Sequence, residues 1–480
     1  VKKRINRRQF LKAGGTASAI LGGSGLGFFG YESGKDPSGY TGCVDFQGEA
    51  QFFDRKKFQT ENPHYKKIHE TSRIDARTEV VYNRFYAFMS QWDKDKGLTG
   101  LSPLLSDYYK KNPASLRMDL KLRNEIYPRR IRDKKNYKRK FILSTAWSRA
   151  MVAVKPASIE HPPSISDFPG GERFGEPSKP YKMKNIRQTA KLIKHISYEM
   201  GATLVGIARL NPDWVYLYPH RQRGFTLNQP LEVPSHWQFA IVIGCPMSWD
   251  PLRANPNYGS SNDSDSRIQI TAYRIAAFIR QLGYAARPHC PENEYDLIIP
   301  PVAIDAGLGE QGRHSILVTP ELGSNFKSAV VTTNLPLEID RPIDFGLQDF
   351  CRHCNICADH CPAGAIPKGE KEEIHGYLRY RIDGNKCHNF WYSNLGNIGC
   401  RICVAVCPFT RKNNWIHRGA LHVTAHDPTG IAGRTLETFQ KLCYPGKEPG
   451  SYYIPSMGGR NASYREPPWW LRAEDFINEI

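Results

Sequence analysis

Eight cysteines crowd the stretch between positions 351 and 407. Cys351, Cys354, Cys357 and Cys361 are separated by two, two and three residues, and Pro362 follows. Cys387 then precedes Cys400, Cys403 and Cys407, the last three separated by two and three residues, with Pro408 next. Such close spacing lets one turn of backbone offer three thiolates to three corners of a cube. The proline ends the turn and leaves the fourth thiolate free for a neighbouring cube. This is the bacterial ferredoxin pattern for 4Fe–4S clusters, in which the fourth cysteine of each run ligates the other cluster. Cys351, Cys354, Cys357 and Cys407 are therefore assigned to one cluster, and Cys361, Cys387, Cys400 and Cys403 to the second. Zinc sites usually join two CxxC pairs at longer separation. The chemistry expected is transfer of electrons one at a time.

The elements that must position these cysteines precede them. Over 185–200 the apolar residues Ile186, Ala190, Ile193 and Met200 share one face, and Gly201 supplies a stop, which predicts an amphipathic helix. Residues 203–208 read as a short strand. Residues 239–245 read as another, apolar throughout and hence buried on both faces. A second helix is expected over 268–282, with Ile268, Ala272, Ile275 and Ile279 on its apolar side and Gly283 after it. A strand from Tyr284, a helical run opened by Pro300 and Pro301, and strands over 316–319 and 329–333 complete the pattern. Strands alternating with helices indicate a layered α/β core. Residues 156–182 are rich in proline and glycine and read as loop, and 336–342 read as a link into the cysteine-rich part. No GxGxxG opens a helix after a strand, so a Rossmann dinucleotide site is unsupported. No D-x-H-x-x-G is present, which leaves a cobalamin held through a histidine lower ligand unsupported too.

The first residues indicate where the protein works. Arg7-Arg8-Gln9-Phe10-Leu11-Lys12 follows a basic start (Lys2, Lys3, Arg4) and precedes an uncharged, glycine-rich stretch over 13–30. This reads as a twin-arginine export signal, too short and glycine-rich for a membrane span. Export of folded protein suits a chain whose clusters are built in a reducing cytoplasm. No other stretch is long and apolar enough to cross a bilayer. With 480 residues the chain can bury a large core in two domains or more. Much of the net charge of +19 sits over 110–149, with Arg129-Arg130, Lys134-Lys135 and Lys138-Arg139-Lys140. Nucleic acid is excluded for an exported protein. A solvated face is the plainest reading of the charge, and anionic lipid or an acidic partner are the functional ones. Cys43, Cys245, Cys290 and Cys443 remain, with no pairing legible from spacing.

The signal, the α/β core and the paired cysteine pattern together resemble the respiratory reductive dehalogenases. The resemblance runs over about 185–420. It rests on 202–211, 214–216, 278–280, 305–309, 319–323, 342–346 and the Cys-Val-Ala-Val-Cys-Pro-Phe-Thr of 403–410. It implies a nitroreductase-like α/β core that binds a base-off cobamide, with an inserted or appended ferredoxin-like domain carrying two clusters. The organisation expected is signal and linker over 1–42, an N-terminal region over 43–182, the cobamide-binding core over 183–340, the iron–sulfur domain over 341–420 and a C-terminal segment over 421–480. Electrons would pass through both clusters to cobalt, which breaks the carbon–halogen bond of a small organohalide; halide leaves and a proton replaces it. A small integral-membrane protein would anchor the chain at the outer face of the cytoplasmic membrane, beside a membrane-associated electron donor.

The resemblance also implies site residues. Lys327 matches the cation that the family sets beside its proton donor; a solvated surface lysine is the alternative. The donor position, a tyrosine in the family, reads Asp265 here. Tyr258 in a neighbouring loop is a second candidate and Tyr273 a third, while Asp265 could equally be the N-cap of the following helix. Trp391, four residues after Cys387, matches a tryptophan over the substrate pocket and reads equally as packing beside a cluster. Tyr216, Gly307, Leu308, Gly309, Thr319 and Asn325 fall where the family's backbone surrounds the corrinoid, and glycine permits close approach of chain to ligand. Two rivals differ in class. An exported iron–sulfur electron carrier would hold iron without cobalt. An epoxyqueuosine-reductase-like cobalamin enzyme would act on RNA in the cytoplasm, which the signal opposes and the basic stretch favours.

Overall fold

The computed structural model describes residues 54–61, 73–126, 180–218, 236–248, 259–291, 296–394 and 400–443, with short gaps inside these spans and isolated residues between them. The signal, Cys43, Tyr258 and the basic run beyond residue 126 lie outside the described residues.

After short turns at Arg55–Phe58 and Ala76–Glu79 come α1 (Val81–Gln91), α2 (Pro103–Lys111) and α3 (Pro113–Lys121). Prolines open α2 and α3, where a missing N–H costs nothing because first-turn donors have no partner within the helix. Phe88, Leu101, Leu105 and Tyr109 form their shared core. Helix α4 (Ile186–Glu199) follows, its N-terminus capped by Asn185, whose side chain accepts from the N–H groups of Arg187 and Gln188. Gly201, at φ +109°, ends it as the sequence indicates.

The core sheet is β1 (Leu204–Arg209), β2 (Phe239–Pro246), β3 (Ala286–His289) and β6 (Phe326–Thr333) in the order β1-β2-β6-β3, every pair antiparallel. Helices α4 and α5 (Gly259–Gln281) cover one face, where Ile193, Ile207, Ile241, Ile243, Ile275 and Val331 pack together. Helix α6 (Ile299–Asp305) covers the other, with Leu204, Val242, Val302, Ile304 and Val330. A sheet buried on both faces has no polar side to show, which is why β2 lacks alternation. Each fully buried aliphatic side chain contributes about 1.5–3 kcal/mol.

Two expected strands differ in extent or place. Residues expected as a core strand over 316–319 form β5 (Leu317–Val318), which pairs only with β4 (Glu310–Gln311) in a separate ribbon. Strand β6 starts at Phe326 rather than 329, so Lys327 lies in the sheet, opposite Cys245 of β2. Helix α5 starts at Gly259, well before its apolar period at Ile268. Its leading Ser-Ser-Asn-Asp-Ser-Asp-Ser has weak helix propensity but finds tertiary partners: Ser264 Oγ donates to the Cys245 carbonyl at 2.8 Å. Asp265 is thus inside the helix and does not cap it.

The cysteines sit on or beside α7 (Leu347–His353), α8 (Ile356–Asp359), α9 (Gly384–Asn394) and α10 (Ile402–Val406). Helix α11 (Trp415–Ala425) runs through the expected boundary at 420, and Leu421 packs with Phe345, Leu347 and Cys351. Helix α12 (Ile431–Cys443) sets Leu436 against the cluster of Phe350, Cys354 and Cys357. The C-terminal helices therefore close over the first cysteine run. No helix among the described residues is long and apolar enough to cross a membrane.

Candidate redox and active site

Cys351, Cys354, Cys357 and Cys407 line one cavity, walled by Phe350, Pro408 and Phe409 and, from the α/β core, by Arg313 and His314. Burial, then the repulsion of Cys407, pushes the Cys351 thiol up to about 12. Burial and the thiols of Cys351, Cys407 and Cys354 raise Cys357 well above its ordinary value, with Cys403 reaching across as a lesser influence. The second foursome behaves alike. Burial and Cys361 push Cys387 up to about 11, and burial with Cys400, Cys387 and Cys361 raises Cys403 well up. Cys351, Cys354, Cys357 and Cys407 thus share one lining, and Cys361, Cys387, Cys400 and Cys403 lie near one another. Thiols this reluctant to ionise alone suit a centre that brings its own positive charge. Among the described residues no three His, Cys, Asp or Glu side chains converge where a single ion could sit. A zinc tetrahedron would need sulfurs about 3.8 Å apart, given bonds of about 2.3 Å. Cys245 and Cys290 are buried and form no disulfide among the described residues.

Lys327 and Asp265, 62 residues apart, meet. The Lys327 ammonium lies 3.0 Å from both carboxylate oxygens of Asp265. The side chains are 17% and 5% exposed, so Lys327 is not a solvated surface lysine. The β6–β2 register delivers Lys327, and the early start of α5 delivers Asp265. Around them Arg267 donates to Asp263 Oδ2, to the Pro246 carbonyl and to Cys245 Sγ, each at 2.7 Å. Two contacts tie this corner to the second set of thiols. Arg401, between Cys400 and Cys403, donates to Ser261 Oγ on α5 at 2.9 Å. Met247, just beyond β2, packs with Val404, Ala405 and Cys403, and its carbonyl accepts from Asn325 Nδ2 at 3.1 Å.

The remaining expected residues are spread more widely. Tyr216 is half-buried against the α6 side of the sheet, and its backbone N–H donates to the Asp296 carbonyl at 2.9 Å. Leu308 is a core residue with no exposure. On Gly307, Gly309 and Gly323 an added Cβ would strike the carbonyls of Arg341, Val318 and Phe409, so those glycines allow chain to pack on chain. Thr319 is buried, its hydroxyl accepting from the Leu322 N–H at 3.2 Å. The Oδ1 of Asn325 is buried with no hydrogen-bond partner among the described residues. Trp391 is half-buried on α9, one turn from Cys387. Tyr273 packs against the α5 face of the sheet as a core residue.

Several residues that shape the site carried no signal in the sequence. Arg84 and Asp119, both 1% exposed, form an ion pair at 3.1 Å, and Arg84 also donates to Asn385 Oδ1 at 2.7 Å, which anchors the start of α9 to the N-terminal helices. Arg55 pairs with the buried Glu321 at 2.6 Å and donates to the Gly307 carbonyl at 3.0 Å, fastening the 319–325 loop. Arg313 encloses the first cavity through backbone carbonyls. Their partners lie far along the chain, beyond the reach of local spacing.

Comparison with known proteins places this geometry. A 4Fe-4S dicluster domain matches residues 350–415. The tetrachloroethene reductive dehalogenase of Sulfurospirillum multivorans is 34% identical over 261 residues, 47% of this chain and 51% of that protein. That of Dehalobacter restrictus is 31% identical over 293 residues, 51% of this chain and 52% of that protein. A solved reductive dehalogenase, described as suggesting a mechanism for B12-dependent dehalogenation, superposes with a TM-score of 0.60 at 22% identity, over 87% of this chain and 55% of that one. The chain spans about half the length of the curated relatives it matches.

Proposed function

We propose that the chain is a reductive dehalogenase, on its similarity to the two tetrachloroethene reductive dehalogenases and on the shared fold, and that it reduces the carbon–halogen bond of a small organohalide. The overall reaction takes two electrons and one proton and releases halide. The observation that carries the proposal is the buried Lys327–Asp265 pair, joined through Arg401 and Met247 to the second set of thiols. An electron path and a poised proton thus end at one corner of the α/β core.

The residues present suit the cofactors the family implies. Cys351, Cys354, Cys357 and Cys407 would hold one 4Fe–4S cluster, and Cys361, Cys387, Cys400 and Cys403 the other. The buried, unpartnered Oδ1 of Asn325 offers an acceptor to an amide of a base-off corrinoid in a nitroreductase-like core. When bound, that group supplies low-valent cobalt able to break the carbon–halogen bond. Lys327 holds the proton on Nζ and stabilises negative charge as it develops on carbon or halide. Asp265 accepts from that ammonium and aims it. Trp391 supplies an apolar wall that keeps water from the reacting carbon. Twin-arginine export, residence at the outer face of the cytoplasmic membrane, a small integral-membrane anchor and a membrane-associated electron donor complete the reading, supported by Arg7 and Arg8 and the residues around them.

The test is the iron, cobalt and corrinoid content of anaerobically purified protein, followed by halide release from chlorinated and brominated substrates with a reduced viologen. Roughly eight irons per chain with one corrinoid, and halide release, are expected. The same iron without cobalt after reconstitution with cobalamin would leave an electron carrier.

A further inference from the structure

Arg313 is 2% exposed, yet no carboxylate among the described residues pairs with it. All its hydrogen bonds go to neutral carbonyls. Nε donates to Cys351 and Cys354 at 3.0 Å each, and Nη2 to Cys351 at 2.6 Å and Arg352 at 3.2 Å. Nη1 donates to Pro367 at 3.0 Å and Gly369 at 2.9 Å. The other flank of the guanidinium rests on the Tyr380 ring, 4.3 Å from its centroid. Glu310, also buried, accepts from the Phe345 N–H at 2.9 Å through Oε2 and makes no ion pair with Arg313 among the described residues. Lys371 adds a second cation, 5.6 Å from the Tyr380 centroid.

A buried guanidinium without a counter-ion is expensive. Arg313 also lines the cavity of Cys351, Cys354, Cys357 and Cys407, and a cluster on four thiolates is an anion. We propose that the first cluster is the missing counter-ion of Arg313, and that Arg313 raises the reduction potential of this cluster while leaving the second untouched. The inference rests on reading these four cysteines as cluster ligands. One electron from a low-potential donor reduces the cluster and deepens its negative charge, so a fixed cation beside it favours the reduced form. The carbonyl bonds keep the cation in place in both redox states. The second cluster has its own cation, Arg401, which is half-buried and bonded to Ser261.

The experiment is a dithionite titration of the full, cluster-loaded protein followed by electron paramagnetic resonance, with iron content measured on each sample. Wild type must hold both clusters; if it does not, the ligand reading fails before Arg313 is at issue. In R313Q the midpoint of one cluster is expected to fall by at least tenfold in its reduction equilibrium, about 59 mV for a one-electron couple. The other cluster should stay within about twofold, or about 18 mV. R313K keeps the charge with fewer donors, and its midpoint should stay within that same twofold window. An unchanged midpoint in R313Q with full iron would overturn the proposal, leaving Arg313 a loop clamp. A tenfold fall in R313K would overturn it too, and that reading stands even if R313Q fails to load.

Discussion

Removing the ammonium of Lys327 should cost the enzyme twice, once in stability and once in turnover. At 3.0 Å from each carboxylate oxygen, and with an effective dielectric of about 20, the attraction is about 5–6 kcal/mol. Desolvation of both groups, and the water that reaches a lysine 17% exposed, return part of that. About 2–3 kcal/mol of coupling remains. K327M strands Asp265, 5% exposed, without its cation, so a destabilisation of about 3 kcal/mol is expected. For a domain of this size that is a fall of about 6–12 °C in thermal midpoint, read by circular dichroism under argon. The double variant K327M/D265N should recover much of it, since no charge is then left unpaired. In turnover, K327M removes the proton carrier and should lower halide release about 100-fold or more, about 2.7 kcal/mol of barrier. D265N keeps the ammonium and loses only its aim, so about tenfold is expected. A larger loss in D265N than in K327M would refute the assignment of the proton to Lys327. A loss under threefold in both would remove the pair from the reaction.

Other expectations follow from single contacts. Burial pushes Asp305 from an ordinary 3.8 up to about 7, with Trp214 Nε1 donating to it at 2.9 Å. The folded state then binds a proton that the unfolded state has lost, so this residue makes stability fall as pH rises from about 4 to about 7. D305N should be the more stable chain at pH 8, with the gain in thermal midpoint vanishing near pH 4. G309A would drive a Cβ into the Val318 carbonyl, so it should cost about 3 kcal/mol or fail to give soluble protein. G419A, in α11 with nothing within 4 Å, should stabilise by about 0.5–1 kcal/mol. The crossover ligation predicts that C361S alters the paramagnetic signal of the cluster on Cys387, Cys400 and Cys403. C407S should alter the other, and a reversed assignment would show the runs closing on themselves.

What could be read in advance was what chemistry binds to local spacing. Three cysteines within one turn, and a proline after the fourth, constrain the backbone over a few residues, so the dicluster pattern was legible. The amphipathic helix at Asn185 and the doubly buried strand at Phe239 were legible for the same reason, since period and capping act within a turn or two. The order and direction of the strands were not, because β6 reaches its place between β2 and β3 through pairings that span 80 to 94 residues toward β2 and 41 to 47 toward β3. Nor was the true start of α5. Ser260 to Ser266 is a sequence that competes with its own backbone, and distant partners such as Cys245, Ser248, Lys327 and Arg401 hold it in the helix. That extra length is what lifts Asp265 out of a capping role and turns it toward Lys327. The pair was found through a resemblance, and the fold supplies its physical reason.

Arg313 marks the other limit. Nothing in Gly-Arg-His predicts a cation sealed among carbonyls 38 to 56 residues away. A buried charge becomes conspicuous only once its surroundings are known and its counter-ion is found missing. The same logic separates Arg313 from Arg84, for which Asp119 balances the charge within the fold. Replacing Arg84 should therefore loosen α9 without setting a potential, whereas replacing Arg313 should move a potential even where the loop survives. Two buried arginines of equal formal charge thus have different consequences, decided by whether the compensating anion belongs to the chain or to what the chain binds.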